Sequence, residues 1–116
     1  MGYPDLKTIY PKMVPHVKKA WLAALRSGDY AQAKNRLRKA GDKFCCLGVL
    51  CDLGDKSDVT WVTESGSYRY GIDTCLLPIS ILTATGLSPV AQTKLAAMND
   101  DGCTFNEIAD WIEENL

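Results

Sequence analysis

The chain has 116 residues, 47% of them hydrophobic and 23% charged, with a formal net charge of −1. These values are typical of a globular chain of one domain, residues 1–116. No run of about 20 apolar residues is present, which excludes a membrane-spanning helix, and the near-zero charge argues against binding to long duplex nucleic acid.

The small net charge conceals an asymmetry along the chain. Residues 1–50 carry ten Lys or Arg against three Asp or Glu, a net of +7, whereas residues 51–116 carry three against eleven, a net of −8. Two interpretations follow. Either the two halves pack together and neutralise each other, or a basic face binds an anion while the acidic half stays in solvent.

The beginning of the chain predicts an arm followed by a helix. Residues 1–12 are expected to be irregular because two prolines interrupt them. An amphipathic helix is predicted over about 14–27, where apolar residues recur at helical spacing and Pro15 suits the first turn. Gly28 is expected to close this helix in the left-handed conformation.

Residues 29–43 are compatible with two structures. As a strand, their alternation places the long polar side chains on one face; as a helix, Ala33 and Leu37 would lie in the core. We favour a short extended segment near 34–38, followed by a turn at Ala40-Gly41-Asp42.

The most apolar stretch is 43–53, with the sequence KFCCLGVLCDL. Large apolar residues recur at every third position, and smaller ones occupy the other faces. This pattern predicts a second helix, 44–53, that ends at Gly54 and is buried almost all round. The residues expected in the core are Phe44, Leu47, Leu50 and Leu53.

The next segment predicts a β-hairpin. Residues 59–72 contain two runs rich in β-branched and aromatic side chains, separated by a short loop at Ser65-Gly66. Beyond it, Pro78 indicates a short helix that ends before Gly86.

Two further helices are predicted after Gly86. Ser88 followed by Pro89 is typical of a helix start, and its inner side is expected to hold Val90, Leu95 and Met98. Thr104 with Glu107 forms a capping box at the start of a last helix, 105–116. We therefore expect an α+β fold with three or four helices packed on a small antiparallel sheet that contains the 59–72 hairpin.

The five cysteines could serve as metal ligands or as core residues. Cys45, Cys46 and Cys51 have no paired knuckle spacing and lie in an apolar run, which favours core packing. A metal site completed by Cys75, Cys103 or the single histidine, His16, is the less favoured alternative. We predict no metal, no cofactor and no catalytic residue, and free thiols in a reducing compartment.

A surface that binds an anionic ligand is predicted around the basic segment, whose cationic residues are Lys34, Arg36, Arg38, Lys39 and Lys43. An extended 34–38 would project Arg36 and Arg38 in one direction, where two guanidinium groups can hold phosphate. Tyr30 and Trp61 offer flat faces on which a base can stack. Gln32 and Asn99 are expected to contact the hydrogen-bonding edges of the base. The alternative is an ordinary solvated face.

Four blocks of the sequence carry a resemblance. WLAALRSGDYAQ at 21–32, RLRKAGDKFCCLGVLCDL at 36–53, LP at 77–78 and MNDDGCTFNEIADWIEENL at 98–116 resemble a family of small proteins encoded by tailed phages and prophages. Members carry these blocks in the same order and end in a version of L-N-D-x-G-x-S-F-x-x-I-A-x-x-I-E. This chain is shorter between the second and third blocks, and it has Met98 and Thr104 where Leu and Ser are usual.

The resemblance implies a phage accessory protein made in bacterial cytoplasm, and such proteins often counteract host defence. We therefore expect a non-enzymatic binder that sequesters an anionic small ligand, and we predict that this ligand is a cyclic or linear nucleotide signal. The alternatives are an inhibitor that binds a host defence protein and an enzyme that processes a nucleotide. A homo-oligomer is left open, since a two-fold axis suits a pseudo-symmetric cyclic dinucleotide.

Overall fold

The computed structural model of the protein describes residues 10–53, 61–64, 67–70 and 76–116, and in the two short middle ranges it describes the backbone. The helices are α1 (Pro15–Arg26), α2 (Cys46–Leu53), α3 (Ile79–Thr85), α4 (Pro89–Asp100) and α5 (Phe105–Asn115). The strands are β1 (Ala31–Gln32), β2 (Arg38–Lys39), β3 (Lys43–Phe44), β4 (Trp61–Glu64) and β5 (Ser67–Tyr70).

The strands form one sheet in the order β1-β3-β2-β5-β4. β1 runs parallel to β3, and the other neighbours are antiparallel. The α+β class is confirmed, and β4 pairs with β5 as the predicted hairpin requires. Two details of the prediction were wrong. The described residues contain five helices, not three or four, and the sheet is mixed because β1 joins it in parallel.

Helix α2 lies at the centre of the molecule, as its apolar composition predicts. All of its residues from Cys46 to Cys51 are buried. Helix α1 packs against it through Trp21, which is fully buried and whose indole Nε1 donates a hydrogen bond to the Cys46 carbonyl oxygen over 3.0 Å. The indole therefore fills the core and satisfies its own polar group there.

Helices α1 and α5 pack side by side over this core. Leu25 on α1 and Ile108 and Ile112 on α5 are buried. At the surface of the seam, Arg26 forms salt bridges with Asp110 over 2.8 Å and with Glu113 over 2.6 Å. The predicted neutralisation between the basic and acidic halves occurs here, at an exposed site where such pairs contribute little stability.

The predicted helix starts are confirmed where local capping signals specify them. Ser88 accepts a hydrogen bond from the Ala91 N–H, and Pro89 begins α4. Thr104 accepts from the Glu107 N–H over 3.2 Å, while the Glu107 carboxylate accepts from the Thr104 N–H over 3.0 Å. This completes the capping box of α5.

Three local predictions were wrong. Residues 34–38 are not extended: Asn35 has φ of 68°, and only Arg38 of that segment belongs to a strand. Helix α2 begins at Cys46 and not at residue 44, because Lys43 and Phe44 pair with β2. Of the residues expected inside, Leu53 is 41% exposed and Val90 is 62% exposed.

Several predictions concern residues outside the described ranges. These are most of the predicted N-terminal arm, Gly54, the hairpin loop at Ser65-Gly66, and Cys75. Within the described part of the chain, none of the helices combines the length and the apolar character that crossing a bilayer requires.

Candidate functional site

The solvent-facing side of the sheet carries two lysines directly opposite each other. In the antiparallel pair of β2 and β3, Lys39 is the partner of Lys43, and in the parallel pair Ala31 is the partner of Lys43. Directly opposed residues project from the same face of a sheet. Ala31 and Lys43 are exposed and Lys39 is half-buried. We call this side, defined by Ala31, Lys39 and Lys43, the open face.

The other side of the same strands faces the core. Phe44 is the partner of Arg38 in one pairing and of Gln32 in the other, and its ring is buried in the core cluster. Side chains alternate along a strand, so Arg38 and Gln32 share the side of Phe44. We call this side the inner face. Two of the predicted ligand residues therefore lie opposite the open face.

Arg38 is engaged within the inner face. Its guanidinium carbon lies 5.1 Å from the centroid of the Phe44 ring, within the range of a cation–π contact. Its Nη2 also bonds the Asp42 carboxylate across the turn, and the side chain is 17% exposed. Arg36 and Arg38 were predicted to project in one direction from an extended segment. Residues 34–37 form a bend instead, so the backbone geometry on which that prediction depended is absent there.

Tyr30 also contacts Phe44. The two rings meet edge to face, with centroids 5.1 Å apart and an interplanar angle of 87°. The Tyr30 hydroxyl donates to the Asp52 carboxylate over 2.7 Å. Removal from water and, second, the bond to Asp52 raise the pKa of Tyr30 to about 12. The structure thus brings Tyr30 and Arg38 together, but through a shared contact with Phe44.

Asn99 and Gln32 form a separate, interior network. Asn99 is fully buried. Its Oδ1 accepts from Gln32 Nε2 over 2.9 Å and from the Cys46 N–H over 3.1 Å. Its Nδ2 donates to the Ala33 carbonyl oxygen over 2.7 Å, and Gln32 Nε2 also donates to the Cys103 carbonyl oxygen over 2.7 Å. This network ties β1, α2 and α4 together.

The structure gives less detail for the two remaining predicted ligand residues, Arg36 and Trp61. Arg36 is half-buried in the bend between β1 and β2. Trp61 is the first residue of β4, the edge strand farthest from β1, where its backbone pairs with that of Tyr70. The structure describes the backbone of this residue. Among the predicted residues with described contacts, the structure thus places Tyr30 and Arg38 around Phe44 and joins Gln32 to Asn99.

The sequence places Lys39 and Lys43 among the basic residues of the predicted anion-binding segment but does not distinguish them as the phosphate contacts. The signal that identifies them is the turn at Ala40-Gly41-Asp42, which the sequence does predict. In the structure Gly41 and Asp42 both take positive φ, 82° and 55°. The three-residue loop Ala40-Gly41-Asp42 joins β2 to β3 and places Lys39 opposite Lys43. Recognising a hairpin at this turn would have paired the two lysines.

The open face has a distinct electrostatic character. Salt bridges between described residues engage Arg26 and Arg38 but neither Lys39 nor Lys43. Two like charges directly opposite each other on a sheet repel by roughly 0.2–1 kcal/mol. An anion placed between the two ammonium groups would convert that repulsion into two attractive contacts. The arrangement is suited to binding a phosphate or carboxylate.

The cysteines take the positions expected of core residues. Cys45, Cys46 and Cys51 are buried thiols. Burial raises the pKa of the Cys46 thiol well above its ordinary value, which disfavours the thiolate form that binds metals and attacks electrophiles. Within the described ranges, no three His, Cys, Asp or Glu side chains are grouped so that they could hold a metal ion.

The fold and this face define an α+β protein with a basic sheet surface. The chain belongs to the family described as a Domain of unknown function (DUF8296), whose model matches residues 13–116. No curated protein and no solved structure matches the chain.

Proposed function

We propose that this protein binds a phosphate-bearing small ligand on the open face, with Lys39 and Lys43 as the phosphate contacts. The observation that carries the proposal is the direct opposition of these two lysines across β2 and β3. Each ammonium group brings three donors, so a phosphate seated between them receives charge-assisted hydrogen bonds from both strands.

This assignment moves the phosphate contact away from the residues that the sequence favoured. Arg38 is held by Asp42 and the Phe44 ring, and Tyr30 by Asp52. Asn99 is buried, and both ends of its amide are bonded within the protein. A ligand would have to break these bonds before using those groups, whereas Lys43 is exposed and Lys39 half-buried on the open face.

The nature of the ligand and its biological purpose rest on the resemblance to phage accessory proteins. We propose a cyclic or linear nucleotide that serves as a defence signal, bound and sequestered in the bacterial host. Sequestration requires tight binding and no chemistry. Arg36 and the stacking role of Trp61 remain part of this proposal as secondary contacts.

The test is a thermal melt of the protein against cyclic dinucleotides, linear nucleotides and inorganic phosphate. A ligand present at 100 times its Kd stabilises the folded state by about 2.7 kcal/mol, which raises Tm by several degrees for a chain of this size. We expect a selective rise with one nucleotide class. Lys39→Ala and Lys43→Ala should each reduce the rise and together abolish it.

The matched control is Lys94→Ala, which removes an exposed lysine from α4. It should leave the ligand-induced rise unchanged. No rise with any nucleotide, or a rise that survives in the double variant, would overturn the proposal. Recovery of the ligand with unchanged mass after denaturation distinguishes sequestration from enzymatic processing. Capture of one host protein without any response to nucleotides would favour the protein-binding alternative.

A further inference from the structure

Helices α1 and α5 carry strictly segregated charges. Helix α1, PHVKKAWLAALR, has three cationic residues and no acid, and α5, FNEIADWIEEN, has four acids and no base. The two helices lie side by side in one chain, and they meet at Arg26, whose salt bridges join the seam. Lys18 Nζ also donates to the Glu113 carbonyl oxygen over 3.1 Å. The exposed charges that remain outside these contacts across the seam are Lys19 on α1 and Glu107 and Glu114 on α5.

A shallow groove of about 510 Å³ runs along α1 beside the seam. Leu22 and Ala23 provide an apolar floor, and Lys18, Lys19 and Arg26 are the cations that line it. The single acid in the lining is Glu113, which Arg26 already binds. The groove therefore offers apolar contact surrounded by positive charge.

The outward face of α5 has the opposite character. Glu107, Asp110 and Glu114 are exposed and recur at helical spacing, so they form an acidic stripe. Arg26 already binds Asp110 at the edge of this stripe, and Glu107 and Glu114 are the acids that a second copy would meet. Trp111 lies among them and is half-buried, edge-on to Tyr10 with ring centroids 5.0 Å apart. This stripe presents an aromatic side chain surrounded by negative charge, which complements the groove on α1.

We propose that the surface formed by α1 and α5 binds a second copy of this chain. A two-fold axis that runs along the seam brings α1 of one copy over α5 of the other, and the reverse contact forms at the same time. Such an isologous contact needs a surface that is complementary to itself, and the segregation of charge on adjacent helices provides it. This proposal is independent of the ligand site on the open face.

The test is analytical ultracentrifugation of the full chain over a range of concentrations and ionic strengths. We expect a dimer at low salt that weakens as salt is added, because a Debye length of about 10 Å at 0.1 M screens exposed charges. Lys19→Glu and Glu114→Lys, each at an exposed position, should weaken dimerisation by about tenfold or more. Melts followed by circular dichroism establish that each variant is folded.

Mixing the two variants provides the sharpest arm. In a homodimer of either variant, residues 19 and 114 carry like charges and face each other in both halves of the two-fold contact. In a dimer of one Lys19→Glu copy and one Glu114→Lys copy, these positions carry unlike charges in both halves. The mixture should therefore form a heterodimer, which native mass spectrometry resolves from the two homodimers. Lys94→Glu and Asp101→Lys make the same charge changes at exposed sites on α4 and the turn after it, and they should leave the dimer intact.

Three results would overturn the proposal. The wild-type chain sedimenting as a monomer at low salt and high concentration excludes the second copy as occupant. A dimer that is insensitive to Lys19→Glu and Glu114→Lys lies at another surface. Failure of the mixed variants to associate, when the wild type does, contradicts the pairing of α1 with α5.

Discussion

Gly48 of helix α2 lies directly against the carbonyl group of Leu37. A Cβ atom added at Gly48 would stand 1.7 Å from the Leu37 oxygen and 2.6 Å from its carbonyl carbon. The same oxygen accepts a hydrogen bond from the Cys45 N–H over 3.1 Å. The glycine thus allows the segment before β2 to dock on the central helix, and it explains the glycine within FCCLGVLCDL.

Gly48→Ala should destabilise the protein by more than about 3 kcal/mol, or prevent folding. Alanine in a helix interior normally gains about 0.5–1 kcal/mol over glycine, but here the methyl group meets backbone that cannot move without losing the Cys45 hydrogen bond. Urea unfolding measures the loss. Gly28→Ala is the comparison: Gly28 has φ of 80° and no atom within 4 Å of an added Cβ, so its cost should be only about 1–2 kcal/mol. Equal costs at the two sites would contradict the close contact.

Asn99→Leu should also cause a large loss of stability. It removes the acceptor of the Cys46 N–H and the donor to the Ala33 carbonyl, and each buried group left without a partner costs about 1–3 kcal/mol. Asn106→Leu on the exposed side of α5 is the control and should change the free energy of unfolding little. A mild effect of Asn99→Leu would mean that other groups take over its hydrogen bonds.

Tyr30 should make the protein less stable at high pH. Its pKa is about 12 in the folded chain and about 10 when unfolded. Between these values the unfolded state loses the phenol proton before the folded state does, so stability falls as pH rises from about 10 to about 12. Below about pH 10 the contribution is fully present.

Tyr30→Phe isolates this effect, because it removes the titrating group and keeps the ring beside Phe44. The free energy of unfolding, measured by urea at a series of pH values, should decline less steeply above pH 10 in the variant than in the wild type. Identical slopes would show that burial and the bond to Asp52 do not raise the pKa of Tyr30 in the folded chain.

The described cysteines should differ in reactivity. Cys45, Cys46 and Cys51 are buried, whereas Cys103 is half-buried. Since thiols react as exposed thiolates, iodoacetamide should modify Cys103 first in the folded protein, and peptide mass spectrometry locates the label. Addition of denaturant should make all four reactive. Early labelling of Cys46 under native conditions would contradict its place in the core.

The predictions from the sequence agree with the structure best in the helices. Pro15, the Ser88-Pro89 pair and the Thr104–Glu107 capping box specified where helices begin, because these signals act within a few residues. Hydrophobic periodicity predicted an amphipathic α5, which the structure confirms. It also predicted that residues 44–53 are buried almost all round, which is confirmed as far as Cys51 but wrong for Leu53, which is exposed.

The candidate site depended on contacts that are distant in sequence. The sequence shows polar and apolar side chains alternating around Arg38. It does not show which of the two sides faces the core, because that follows from the pairing of Phe44 with Arg38 and with Gln32. A shift of one residue in register exchanges the two faces of a strand, so the lysines and not the arginine reach the open face. Asn99 shows the same dependence, since its amide bonds residues of two distant segments, Gln32 and Ala33 in one and Cys46 in the other.

Local capping, periodicity and turn chemistry were therefore sufficient to predict the helical segments, the β4–β5 hairpin and the central apolar segment, because these signals act within a few residues. Which polar residues are interior and which are exposed became apparent only from the folded structure. Burial depends on strand register and on packing between segments that are distant in sequence, such as Gln32 and Asn99, which are 67 residues apart, and no local pattern records it.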